Sequence, residues 1–163
     1  MAIGERAAGD SEGTYAGDRF RLSFRPRFAD TDASGVVHFS RIFVFFEMIE
    51  AQFYRGLGYN FSSQARGGFY LARANAECQF LSPIRQDDRM IGEMRVAEVG
   101  NTHIKYEFHL LNESTGSTSA EGTVVVVSVD TRTWKKIPLA AKLLSTLEKA
   151  RGQAAHTDAP PST

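Results

Sequence analysis

Hydrophobic and polar positions alternate between Arg19 and Phe28: Phe20, Leu22 and Phe24 on one side, Arg19, Arg21, Ser23 and Arg25 on the other. A period of two predicts a half-buried strand. Pro26 near its end marks an edge or a stop. From about Ser40 to Leu57 the period becomes helical. Ile42, Phe45, Phe46, Ile49 and Phe53 share one face, and Arg41, Met48, Gln52 and Arg55 another. This aromatic helix calls for cover on more than one side. Ser40 is a candidate N-cap, with His38 and Phe39 also open as first residues; Gly56 and Gly58 end the helix.

After the turn signal Gly67-Gly68 the period returns to two. Strands are expected at about Phe69–Leu81, Asp88–Val99, Thr102–Leu111 and Ser117–Val129. Val99–Thr102 and Asn112–Gly116 read as hairpin turns. Ile104, Tyr106, Phe108 and Leu110 alternate with polar neighbours. Val124–Val127 is continuously apolar, as a central strand would be. Pro138 opens a last helical pattern through Leu139, Leu143, Leu144 and Leu147. The expected fold is therefore α+β: a five-stranded antiparallel sheet wrapped around one long helix. Residues 19–152 form the single domain, with disordered tails at 1–18 and 153–163. Five strands do not cover such a helix on all sides, so a homodimer or homotetramer is expected.

Composition narrows the function. The 163 residues carry 19 basic and 19 acidic side chains. That balance gives no basic excess for nucleic acid or an anionic membrane. With one cysteine, Cys78, neither an intrachain disulfide nor a thiolate metal cage is expected, and no other residues cluster at metal-ligand spacing. No apolar run reaches the roughly 18 residues of a membrane span, and no signal-peptide core is visible. The expected location is cytoplasmic.

The chemistry concentrates between the first strand and the long helix, in Asp30-Thr31-Asp32-Ala33-Ser34-Gly35-Val36-Val37-His38-Phe39. A carboxylate loop here meets a helix start, where unpaired N–H groups and the dipole favour negative charge. This stretch, in its strand–loop–helix setting, resembles the hotdog-fold acyl-CoA thioesterases of the 4-hydroxybenzoyl-CoA thioesterase type. Their signature is Asp-x-Asp-x-x-Gly-[Ile/Val]-Val after the first strand. Phe80-Leu81-Ser82-Pro83 and Asp87-Asp88 are similar to the family's passage between later strands. The resemblance spans about Phe20 to Val129.

The resemblance implies that Asp32 is the catalytic nucleophile or general base. It implies that the Phe39 backbone N–H polarises the thioester carbonyl and that Gly35 lets the loop turn close to the substrate. Asn101, Thr102 and His103 correspond to a hairpin where relatives touch the nucleotide end of CoA. His38 reads as pocket wall or satisfied polar residue. One branch carries a histidine seven residues after the second aspartate; here that position is Phe39. An aromatic there is closer to the branches acting on aromatic acyl-CoA. Without the resemblance, Asp32 is equally an Asx-turn residue, Asp30 a structural acceptor, and Glu47 and Glu50 surface or ion-pair groups. The expected function is hydrolysis of an acyl-CoA with an aromatic acyl group, CoA entering only as part of the substrate. Release of an acyl chain from acyl-carrier protein and non-catalytic acyl-CoA binding are the alternatives.

Overall fold

The computed structural model of the chain describes residues 13–157. In chain order it contains β1 (Thr14–Ala16), β2 (Arg19–Phe24), a 3-10 turn (Phe28–Asp30) and α1 (Phe39–Gly56). It continues through α2 (Ser62–Arg66), β3 (Phe69–Phe80), β4 (Met90–Val99), β5 (His103–Asn112), β6 (Ser117–Asp130) and α3 (Ala141–Thr157). The strands form one antiparallel sheet in the order β1-β2-β4-β5-β6-β3.

The five strands expected from periodicity are β2 to β6; four of them end within two residues of expectation, and β2 stops at Phe24, four residues short of Phe28 and before Pro26. The sheet gains a sixth strand, β1, inside the stretch expected to be a tail. Tyr15 pairs with Phe20 there, and their rings meet edge to face at 5.6 Å. At the other end α3 runs to Thr157, past the expected start of the second tail. The remaining tail residues, 1–12 and 158–163, lie outside the described part.

The core lies between α1 and the sheet. Ile42, Phe45, Phe46, Ile49 and Phe53 are all buried, as the period requires, and so are Ile104, Tyr106, Phe108 and Leu110 of β5. Each such side chain contributes about 2 kcal/mol of burial. Phe46 stacks on Phe108 at 4.5 Å. The helix can approach β6 this closely because residue 122 is glycine: a Cβ there would collide with the Phe46 ring and the Glu77 carbonyl. Tyr54 and Tyr106 are buried together, and their hydroxyls satisfy each other at 2.6 Å. The helix opens at His38 rather than Ser40. His38 is the N-cap, with extended backbone, and its ring nitrogen accepts from the Ser40 N–H at 3.3 Å.

Candidate active site

The loop before α1 is built by its own hydrogen bonds. Thr31 bridges to Val37 and Val36 to Arg85, and the Val37 N–H donates to the Ile84 carbonyl at 2.8 Å. Between these ties the chain reverses: the Gly35 N–H donates to the Asp32 carbonyl, and the Asp32 N–H to that of Val36. Gly35 has φ +75 with open space where a Cβ would point. Glycine is needed there for the left-handed backbone, not for close approach to a neighbour.

The two aspartates of the motif have opposite surroundings. Asp30 is 2% exposed. Its Oδ2 accepts the Arg27 N–H, and its Oδ1 accepts Nε and Nη2 of Arg41 at 2.8 and 2.6 Å. It ties the loop to the first turn of α1. Asp32 is exposed. Its Oδ1 accepts both the hydroxyl and the N–H of Ser34, at 2.5 and 2.8 Å. These bonds, the hydroxyl first, hold the Asp32 carboxyl below the usual carboxylate range, with a smaller contribution from His38. Both bonds from Ser34 fall on Oδ1, and the Val36 backbone adds a weaker pull toward the charged form.

Asp32 and Phe39 line one cavity of about 390 Å³ together with Ile42, Phe80, Leu81 and Ile84. Phe39 is the first residue of α1, so its N–H has no intrahelical acceptor and sits at the positive end of the dipole. An ionised carboxylate and the first residue of the helix thus line the same apolar cleft. A carboxylate can attack or activate water there, and the N–H can stabilise an oxyanion.

The other expected substrate residues are not gathered here. His38 is partly buried and engaged in the cap, with Nδ1 2.8 Å from the Ser40 hydroxyl and its ring 4.4 Å from that of Phe39. Asn101, Thr102 and His103 lie at the far end of the sheet. His103 starts β5, whereas the cavity borders Ser119, beside the end of β5. Seven to eight residues of strand, about 25 Å, separate them. His103 there faces Glu98 at 3.1 Å. Glu47 is exposed on α1, and Glu50 is buried against Arg73. Ser34 and Arg41 are parts of the site that the sequence reading did not single out. Ser34 had a signal, a serine two places after an aspartate, the pattern of an Asx turn. Among the described residues no cluster of His, Cys, Asp and Glu could hold a metal, and no helix is long and apolar enough to cross a membrane.

Residues 26–147 match the model of the thioesterase-like superfamily. The chain belongs to that family. Its hotdog fold and its reaction class, thioester hydrolysis, follow. A curated protein of Aquifex aeolicus (strain VF5), provisionally designated an esterase, is 28% identical over 89 residues, covering 55% of this chain and 70% of that one. A 1,4-dihydroxy-2-naphthoyl-CoA thioesterase from Synechocystis superposes with TM-score 0.75 at 18% identity, over 79% of this chain and 95% of that one. A DHNA-CoA thioesterase from Staphylococcus aureus gives 0.76 at 16% identity, over 87% and 97%.

Proposed function

We propose that this thioesterase hydrolyses an aromatic acyl-CoA as a homodimer, with Asp32 as its catalytic carboxylate. The observation that carries the reading is the pairing, in one cavity, of an Asp32 held ionised with the first residue of α1. Asp32 attacks the thioester carbon itself or takes a proton from the water that does. The carbonyl oxygen becomes an oxyanion facing the Phe39 N–H. As the intermediate collapses the C–S bond breaks, and CoA leaves as the thiol once it has gained a proton. With Asp32 as nucleophile, water then cleaves the acyl-enzyme anhydride.

The acyl preference rests on the cavity walls. Phe39, Ile42, Phe80 and Leu81 form a cleft of a size suited to one or two rings. The Synechocystis and Staphylococcus aureus neighbours, which act on 1,4-dihydroxy-2-naphthoyl-CoA and DHNA-CoA, favour the same class. The test is free-thiol release from a panel of benzoyl-, hydroxybenzoyl-, dihydroxynaphthoyl- and straight-chain acyl-CoAs. The aromatic members are expected to have the highest kcat/KM. A preference for straight chains would overturn the acyl assignment.

A further inference from the structure

α1 has a second face that takes no part in the Asp32 cavity. Arg41, Val44, Met48 and Gln52 recur along it at three or four residues, so they form one stripe. The stripe is one wall of a cavity of about 680 Å³. Leu22 and Phe24 of β2 and Met90 of β4 form the other wall, and Phe45 lies between them. None of these residues lines the Asp32 cavity.

The strand pairing explains why this trough is open. α1 runs antiparallel to β2: Phe45 meets Phe24 at 4.9 Å, and Phe53 meets Phe20 at 5.7 Å. β1 follows β2 only as far as Arg21, the partner of Thr14. Past Arg21, no described strand lies beside that edge of β2. Leu22, Phe45 and Met90 are buried at the bottom of the trough, Phe24 and Met48 are half-buried, and Val44 is 39% exposed at its rim.

The two ends of the trough differ in charge. Phe24 and Met90 are the last pair between β2 and β4. Arg25 follows the one and Arg89 precedes the other, so both guanidiniums stand at this end, with Arg27 in the loop beyond and Arg41 at the helix start. Arg41 is committed to Asp30. Arg25, Arg27 and Arg89 are exposed, and among the described residues none of the three forms an ion pair. Arg25 donates only to a neutral acceptor, the Asp87 carbonyl, at 2.5 Å. Against these three cations the wall sets one further carboxylate, the exposed Glu113. The other end closes on Gln52, an uncharged amide that accepts from Arg55.

From Arg41 to Gln52 the helix runs about 16 Å, the length of a chain of about ten to twelve carbons. Apolar walls of that length, cationic at one end, are complementary to an amphipathic anion. Guanidinium groups match a carboxylate or phosphate head, and the walls remove the chain from water. An uncharged apolar ligand would make no use of the cations, and a compact anion none of the trough.

We infer that this trough is a second ligand site, for an organic anion with an apolar chain and a carboxylate or phosphate head. The head meets Arg25, Arg27 and Arg89, and the chain lies along Phe24, Val44 and Met48. The loop before α1 separates the two sites: Asp30 lines the trough, and Asp32 lines the other cavity.

Calorimetric titration of the full chain with decanoate, decyl phosphate, decanol and decyltrimethylammonium, each kept below its micelle-forming concentration, tests the site. One decanoate or decyl phosphate is expected to bind per chain, at least about tenfold more tightly than decanol, and the cation not at all. Affinity should rise about threefold for each methylene from octanoate to decanoate. Arg25→Glu with Arg89→Glu should weaken both anions about tenfold or more, with Tm nearly unchanged because both side chains are exposed. Gln52→Trp fills the far end and should weaken dodecanoate more than hexanoate, a difference that a general loss of fold would not give. Saturating CoA should displace neither anion. Uptake of several anions per chain, equal binding of the decyl cation, or unchanged affinity in the Arg25→Glu, Arg89→Glu protein overturns the inference. Displacement by CoA would merge the trough with the substrate site. A fall in mass by light scattering on adding decanoate would make a second copy of this chain the occupant. Either result overturns it as well.

Discussion

Two carboxylates, Asp32 in the loop before α1 and Glu50 on the helix itself, have opposite surroundings. Asp32 is exposed in a cleft, bonded on one oxygen by Ser34, and its pKa is pulled down. Glu50 is 2% exposed, both oxygens are taken by Arg73 at 3.1 and 2.6 Å, and burial pushes its pKa up against the pull of Arg73. A group that must react needs its charge ready and access to solvent or substrate. A group that must hold two elements together needs neither. By that criterion Asp32 suits the catalytic role proposed for it, and Glu50 fastens α1 to the edge strand β3.

The most direct way to break this contrast is Asp32→Asn. It keeps the size of the side chain and an acceptor for Ser34 but removes the reacting charge. We expect kcat to fall by about two orders of magnitude or more, with Tm nearly unchanged because the residue is exposed. Retention of rate in Asp32→Asn together with its loss in Glu50→Gln would exchange the two roles.

Phe39→Pro sharpens the other half of the site. Proline is tolerated at the first helical position, and His38 already has the extended backbone, φ −62 and ψ 137, that a following proline requires. The substitution deletes one N–H and leaves the helix. Phe39→Ala, which keeps the N–H, is the control for the lost ring. If the N–H serves the oxyanion, proline should cost about 100-fold in kcat beyond alanine. Equal rates for the two variants would remove the helix terminus from the mechanism.

Arg73→Ala tests the structural carboxylate. It leaves Glu50 buried without its partner, at a cost of about 3 kcal/mol near neutral pH. Glu50 already has a raised folded pKa. Its proton therefore favours the fold below the unfolded carboxyl range, near pH 4.3, and that advantage is lost as pH rises through the folded value. The deficit of Arg73→Ala should accordingly shrink from pH 7 towards pH 4.5 in denaturant titrations. A deficit independent of pH would mean that packing, not charge, is what was lost.

The same contrast shows what a sequence can carry. The long helix and five strands were legible because burial imposes a period on many residues at once. The role of Asp30 as an acceptor was legible too, since a carboxylate near free N–H groups has few other uses. Glu50 was legible only as one of two alternatives, surface or ion-pair group: its burial depends on Arg73, twenty-three residues away on a strand whose facing reverses at an irregularity. No local pattern announces that reversal. β1 escaped because three residues beside a glycine have no period. The hairpin at 101–103 was rightly placed between strands, but its distance from Asp32 is fixed by strand order and direction, which only the folded sheet displays.

The smallest effect is the most diagnostic of how Asp32 is tuned. Ser34→Ala removes the hydroxyl whose bond to Oδ1 is the leading cause of the lowered pKa, and it leaves the Ser34 N–H bond in place. For a carboxylate that acts ionised, activity is lost as pH falls through its pKa. In the wild-type enzyme the acid limb of kcat/KM should therefore lie below about pH 3.9, the ordinary aspartate value. Losing one favourable bond to the charged form moves that pKa up, so the limb of Ser34→Ala should shift to higher pH. At pH 7 both enzymes are fully ionised, and their rates should differ by less than about tenfold, because a general base of higher pKa is also slightly stronger. The profile is measured by thiol release across the acid range, with each enzyme checked for folding at every pH. A limb that stays where it was in Ser34→Ala, but vanishes with Asp32→Asn, would place the tuning in the helix terminus instead of the serine. A limb unaffected by both would belong to another group altogether.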